Sequence, residues 1–174
     1  MIASSREFCL SCYEMIDKTF FSGTKCEYLN SIKQIKTKSG VFVTYLINNQ
    51  VCGSIGTTEQ INIHEGITEY SISASMYDFR YPKMTKFDFK ISSCCVSLCG
   101  ECEIVQNPDD WSLGTHGLKI VQNNKSISML PIEMASLSTK IEVISHITSQ
   151  CGDQNITIYR FPVSYHIEPY KNSQ

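Results

Sequence analysis

The chain has 174 residues, of which 42% are hydrophobic and 18% charged, enough for a packed core and too apolar for a disordered segment. Fifteen Lys and Arg against seventeen Asp and Glu give a net charge of -2. No basic block is dense enough to neutralise a run of phosphates, so general nucleic-acid binding is not expected.

The first residues, Met1 to Arg6, contain no apolar leader core, and the expected compartment is the cytoplasm or nucleus. Nine cysteines, an odd count, then read as packed thiols with no disulfide scheme. Ser4 and Glu7 have the spacing of a capping box, and Phe8, Cys12, Met15, Ile16 and Phe20 follow at helical intervals until Gly23. The longest apolar run, Val41 to Ile47, is far short of the ~20 residues of a membrane-spanning helix, so no span is expected. It reads instead as a strand opened by Gly40. Asn48-Asn49 tolerates positive φ, and Val51 to Ile55 resumes the extended pattern, which predicts a hairpin.

Ile63, Ile67, Tyr70, Ser71 and Ala74 recur at three- and four-residue steps, predicting a helix over 63–76 that ends before the Pro82 segment. Extended segments are expected at 91–98, 104–105, 118–122 and 126–130, the last two joined by Asn123-Asn124. A third helix is expected over 138–151, with Gly152 just beyond it, and a last strand over 156–161 ends before Pro162. Helices mixed with hairpin turns predict an α+β fold. Nothing in the composition divides the chain, so 1–174 reads as a single domain.

Four groups of residues could carry chemistry. Cys9-x-x-Cys12 and Cys99-x-x-Cys102 have zinc-ligand spacing, but the first pair lies on an amphipathic helix and Cys94-Cys95 point to opposite faces of a strand. Packed thiols are therefore expected, with no metal and no cofactor. Gly53-Ser54-Ile55-Gly56 either presents Ser54 to a ligand at a close backbone approach or is a tight strand whose glycines serve packing. Asp78 and Arg80 either form an oriented anion-binding fork or a latch between a loop and a helix end. His116, between Gly114 and Gly117, is either a base or ligand or a histidine that caps the backbone of a turn.

Taken in order, these segments resemble the AMMECR-type domain family. Val51-Cys52-Gly53-Ser54-Ile55-Gly56-Thr57 is similar to its Leu-Arg-Gly-Cys-Ile-Gly-Thr signature. Asp78-Phe79-Arg80-Tyr81-Pro82-Lys83-Met84-Thr85 is similar to its Asp-x-Arg-Phe-Pro-Pro-Met-Thr stretch. Asp110-Trp111, Gly114-Thr115-His116-Gly117, Leu130-Pro131 and Tyr159-Arg160-Phe161 fit as well. The resemblance implies a two-lobed α+β domain, with about three helices around a cleft, and an activity that is poorly defined. This chain departs from the signature where Arg becomes Cys52 and Cys becomes Ser54, and a later Lys becomes Gln150.

Loss of the signature thiol and two cations favours binding over catalysis. The expected ligand is a partner protein or a small acidic molecule, held in a polar cleft by Gly53, Ser54, Asp78, Arg80, His116 and Gly117. The alternative is a hydrolase or transferase in which Ser54 is the nucleophile and His116 the base.

Overall fold

The structure, a computed structural model, describes residues 2–122, 125–149 and 156–170. Its elements in chain order are α1 (Arg6–Phe20), α2 (Glu27–Ile32), β1 (Lys38–Ile47), β2 (Gln50–Asn62), α3 (Ile63–Met76) and α4 (Lys86–Ile91). After these come β3 (Ser93–Cys99), β4 (Glu103–Ile104), a 3-10 turn at Pro108–Asp110, β5 (His116–Gln122), β6 (Lys125–Met129), α5 (Lys140–Ser149) and β7 (Ile156–Pro169). The fold is α+β, and the chain divides into two compact units: Met1–Leu98 with Ser164–Gln174, and Cys99–Val163.

In the first unit β2, β1 and β3 are neighbouring strands. β1 is buried along nearly its whole length; a strand covered on both faces has no polar side to alternate with, which is why it reads as a continuous apolar run. Asn48 and Asn49 both have positive φ, 52° and 62°, in a two-residue turn that pairs Ile47 with Gln50. Asn adopts this conformation more readily than most side chains, and the resulting primed turn matches strand twist. From α1, Phe8, Cys12 and Ile16 enter the core, where they join Val43 and Tyr45 of β1 and Ile63 and Ile67 of α3. Asn62 caps α3, its side chain accepting from the backbone N–H groups of His64 and Glu65.

The second unit carries β5 between β6 and the first part of β7, all antiparallel, with β4 paired to β7 at Arg160 and Tyr159. Its core gathers Trp111, Leu118, Ile120, Met134, Val143 and Ile147. Here α5 contributes Val143 and Ile147 at the four-residue spacing of one helical face.

Several expectations need correction. The described residues contain five α-helices where about three were expected; α2 and α4 have only six residues each. Ile91 ends α4 and does not begin a strand, because Thr85 and Asp88 form a reciprocal capping box that starts a helix at Lys86. The Ser4–Glu7 box does not form. Ser5 is the N-cap of α1 without a side-chain bond, and the Ser4 hydroxyl donates to the Val96 carbonyl at 2.8 Å. β7 also runs through Pro162 to Pro169. Pro162 stands opposite His116, the first residue of β5, so its missing N–H falls at the end of that ladder. The expected turn at Asn123-Asn124 and the residues Gln150, Cys151 and Gly152 lie outside the described residues.

Of the described cysteines, Cys9, Cys12, Cys94, Cys95 and Cys99 are buried thiols, whereas Cys26, Cys52 and Cys102 are partly exposed; all are unbridged. Burial, reinforced by the neighbouring Cys12 and Cys9, pushes the Cys94 thiol well above its ordinary value. Among the described residues no group of three or more His, Cys, Asp or Glu is placed to hold a metal ion.

Candidate functional site

The best-organised polar group in the first unit joins β2 to the loop that follows α3. β2 places Ser54 opposite Thr44 of β1. Just after α3, the loop carries Asp78 and Arg80, and its turn is closed by the Tyr81 N–H donating to the Asp78 carbonyl at 3.1 Å. The far end of the loop is pinned to α3 by the Met84 N–H on the Ser75 carbonyl at 3.0 Å.

The Asp78 carboxylate is the hub of this group. Its Oδ2 accepts the Ser54 N–H at 2.9 Å and Arg80 Nη2 at 2.8 Å. Its Oδ1 accepts the Arg80 Nε at 2.9 Å and the Arg80 N–H at 3.2 Å. Arg80 Nη2 also donates to the Ser54 carbonyl at 2.6 Å. The two planar groups thus meet fork to fork, an arrangement that fixes direction as well as distance. Burial alone would raise the Asp78 pKa, but the bonds from Arg80 and Ser54 and the Arg80 charge outweigh it, and the carboxyl lies below its ordinary range.

Exposure differs sharply along this short segment. The Asp78 side chain is 3% exposed and that of Arg80 47%. Phe79, between them, is 97% exposed. The Arg80 guanidinium also lies 5.4 Å from the centre of the Tyr81 ring, within cation–π range.

The Ser54 hydroxyl is buried and shares a 2.8 Å hydrogen bond with the Thr44 hydroxyl. A Cβ built on Gly53 would meet the Ala74 carbonyl oxygen at 2.0 Å. The close approach at Gly53 is therefore made by the backbone of α3. Cys52, in the signature's Arg position, is half-buried; burial pushes its thiol up to about 11, so it stays protonated at neutral pH.

His116 and Gly117 belong to the second unit. His116 opens β5, and its Nδ1 accepts the Ser112 N–H at 3.2 Å and lies 3.0 Å from the Thr115 hydroxyl. The neutral ring that accepts at Nδ1 carries its proton on Nε2. The imidazole thus caps a backbone N–H of the turn, which Gly114 permits with a φ of 81°. The space beside Gly117 is filled by the Phe161 ring, 2.3 Å from a built Cβ.

Ser54, Asp78 and Arg80 are therefore brought together within one unit, with the backbone of Ser54 as the shared anchor. Sequence reasoning missed the cations that follow: Lys83, Lys86 and Lys90 are exposed beside Phe87 and Ile91. Their signal was present in Lys-Met-Thr-Lys-Phe-Asp-Phe-Lys-Ile, where lysines alternate with large apolar side chains across the capping box.

The fold and this latch define an α+β domain with a strand-to-loop signature of the Gly-Ser-Ile-Gly and Asp-x-Arg type. The AMMECR1 family pattern matches residues 9–166, and the chain belongs to that family. An uncharacterised Arabidopsis thaliana protein is 25% identical over 164 residues, covering 87% of this chain and 75% of its own length. An uncharacterised Schizosaccharomyces pombe protein is 24% identical over 119 residues, covering 66% of this chain and 61% of its own. The crystal structure of an uncharacterised protein from Pyrococcus horikoshii shares the fold with a TM-score of 0.76 at 18% identity, over 95% of this chain and 89% of that one.

Proposed function

We propose that this chain is a non-catalytic binding domain whose contact surface is the segment 79–91, and that it recognises a protein segment with an apolar side chain flanked by carboxylates. The observation that carries this reading is Phe79: 97% exposed, it sits between two residues whose polar groups are tied to β2. A phenyl ring left in water forgoes about 1.5–3 kcal/mol of transfer free energy. With Asp78 and Arg80 held on either side, the backbone cannot readily fold the ring back. A side chain fixed in the exposed position loses little conformational freedom when a partner covers it.

The charge around the ring supports the choice of partner. Arg80, Lys83, Lys86 and Lys90 are all exposed in this segment, in a chain whose net charge is -2. Its one acid beyond the latch, Asp88, accepts the Thr85 N–H and hydroxyl in the helix cap, each at 2.7 Å. Such a surface attracts carboxylates and repels cationic segments. The Ser54 hydroxyl, bonded to Thr44, supports a part in the strand pair in preference to attack on a substrate.

The test is selection of a phage-displayed peptide library on the purified chain. Expected are peptides in which Asp or Glu flank Leu, Phe or Trp, with binding lost in Phe79→Ser and weakened about tenfold in the Lys86→Glu, Lys90→Glu double variant. Enriched peptides without that pattern, or binding indifferent to both variants, would overturn the reading. Succinate competing as well as the peptides would remove its apolar half and leave a small acidic ligand.

A further inference from the structure

A second polar recess in the first unit has no part in the latch. It is a cavity of about 460 Å³ between α1, the turn that follows it, the start of α2 and Tyr170 beyond β7. That volume lies in the range of small-molecule pockets, about 300–1,000 Å³. Its wall combines the rings of Tyr13, Phe21, Tyr28 and Tyr170 with the carboxylates of Glu14, Asp17 and Glu27, against the ammonium of Lys25. A second ammonium, that of Lys86, lies 5.0 Å from the centre of the Phe21 ring and leaves the three tyrosine rings for a ligand.

Tyr13, Tyr170, Asp17 and Glu14 are held in place. Tyr170 packs edge-on to Tyr13, ring centres 4.9 Å apart at 81°, and its hydroxyl donates to Asp17 Oδ1 at 3.1 Å. The Tyr13 hydroxyl donates to the carbonyls of Ser92 and Glu168 at 3.2 and 3.1 Å, so what Tyr13 offers the recess is ring. Glu14 Oε2 accepts the Leu29 N–H at 2.9 Å and so ties α2 to α1. The turn between these helices is fixed too: the Phe21 and Gly23 N–H groups both donate to the Asp17 carbonyl at 2.9 Å.

We propose that this recess binds an alkylammonium group, either of a small free cation or of a lysine side chain. Aromatic faces and carboxylates attract the same partner, a cation of low charge density that can touch rings with its methyl or methylene groups while its charge faces the acids. An anion would meet three carboxylates, and a neutral apolar molecule would desolvate them without compensation. Burial first, then the charge of Glu14, holds the Asp17 carboxyl above its ordinary range, against the opposing effects of the Tyr170 hydroxyl and Lys86. A bound cation would add to the counter-charge that Lys86 supplies to this half-buried acid.

Calorimetric titration of the full chain tests this with three probes: choline, its uncharged isostere 3,3-dimethylbutan-1-ol, and acetyl-Ala-Lys-Ala-amide. Choline or the peptide is expected to bind at least about tenfold more tightly than the isostere. Whichever of the two binds better identifies the source of the ammonium. Asp17→Asn keeps an acceptor for Tyr170 and removes only the charge; it and Tyr28→Leu are each expected to weaken binding about fivefold or more with the circular dichroism spectrum unchanged. Equal affinity for the isostere, or no heat from either cation up to about 20 mM with folded protein, overturns the proposal.

Discussion

Asp78 and Arg80 form a two-bond pair, Nε to Oδ1 at 2.9 Å and Nη2 to Oδ2 at 2.8 Å, with one partner buried and the other half in solvent. The pair is also bonded on both sides to a third residue, because the Ser54 N–H donates to the acid and the Ser54 carbonyl accepts from the base. The loop after α3 is thereby tied to a strand 24 residues earlier in the chain. This is the geometry of a latch, and it leaves the Arg80 side chain about half exposed.

The latch should matter to stability mainly through Asp78. Asp78→Ala removes the acceptor of four hydrogen bonds and leaves the Ser54 N–H buried without it, a loss of about 2–4 kcal/mol. Arg80→Ala should cost less, about 1–2 kcal/mol, because its side chain is half exposed and water can replace part of what is lost. Urea unfolding of both variants checks the order. Equal stability of Asp78→Ala and the parent chain would mean the latch holds nothing.

The same carboxylate sets an acid limb. Its folded pKa is below the ordinary value of 3.8, so the folded state binds fewer protons than the unfolded chain as pH falls through that region. The contribution is therefore complete above about pH 5 and is lost as pH drops through 3.8 toward the folded value. Thermal melts of the parent chain and Asp78→Asn, taken from about pH 6 to pH 2.5, should converge at the acid end. A gap that stays constant over that range would remove titration of Asp78 from the account.

Phe79 should behave in the opposite way to its neighbours. With 97% of its surface exposed, Phe79→Ser should change the unfolding free energy by less than about 0.5 kcal/mol. Folding and partner contact can then be separated at adjacent positions. A loss above about 1 kcal/mol would show that the ring packs on the fold in solution, and the surface proposed for 79–91 would lose its anchor.

What was legible in the sequence was what is decided locally or by one dominant face. Asn48-Asn49 announced the hairpin because positive φ is a property of two residues, and Ile63, Ile67, Ser71 and Ala74 marked α3 because that helix has one buried side. Elsewhere tertiary partners overruled the local rule. The Ser4 hydroxyl had a capping-box partner at the right spacing, yet it bonds the Val96 carbonyl, 92 residues away. Pro162 reads as a strand terminator, but a missing N–H is harmless at the end of the β5 ladder. α4 is too short for periodicity to show. Asp78 and Arg80 were visible as a pair; that they close on the backbone of Ser54 depends on how α3 returns to β2, which no spacing encodes.

The contact between α3 and β2 yields the last prediction, which separates two reasons for a glycine. At Gly53 a methyl group would lie 2.0 Å from the Ala74 carbonyl oxygen, whereas at Gly114 nothing lies within 4 Å and only the φ of 81° resists a side chain. Gly53→Ala must push a helix backbone away from a strand that also carries Ser54, so it should cost about 2–3 kcal/mol or more. Gly114→Ala meets open space and should cost about 1 kcal/mol of backbone strain. Because the displaced strand bears the Ser54 N–H and carbonyl, Gly53→Ala should also loosen the Asp78–Arg80 latch. Amide hydrogen exchange at Ser54 should accelerate in that variant and stay unchanged in Gly114→Ala. If Gly53→Ala is as stable as the parent chain and protects Ser54 equally well, the strand and helix are not in the close contact on which the geometry of the latch depends.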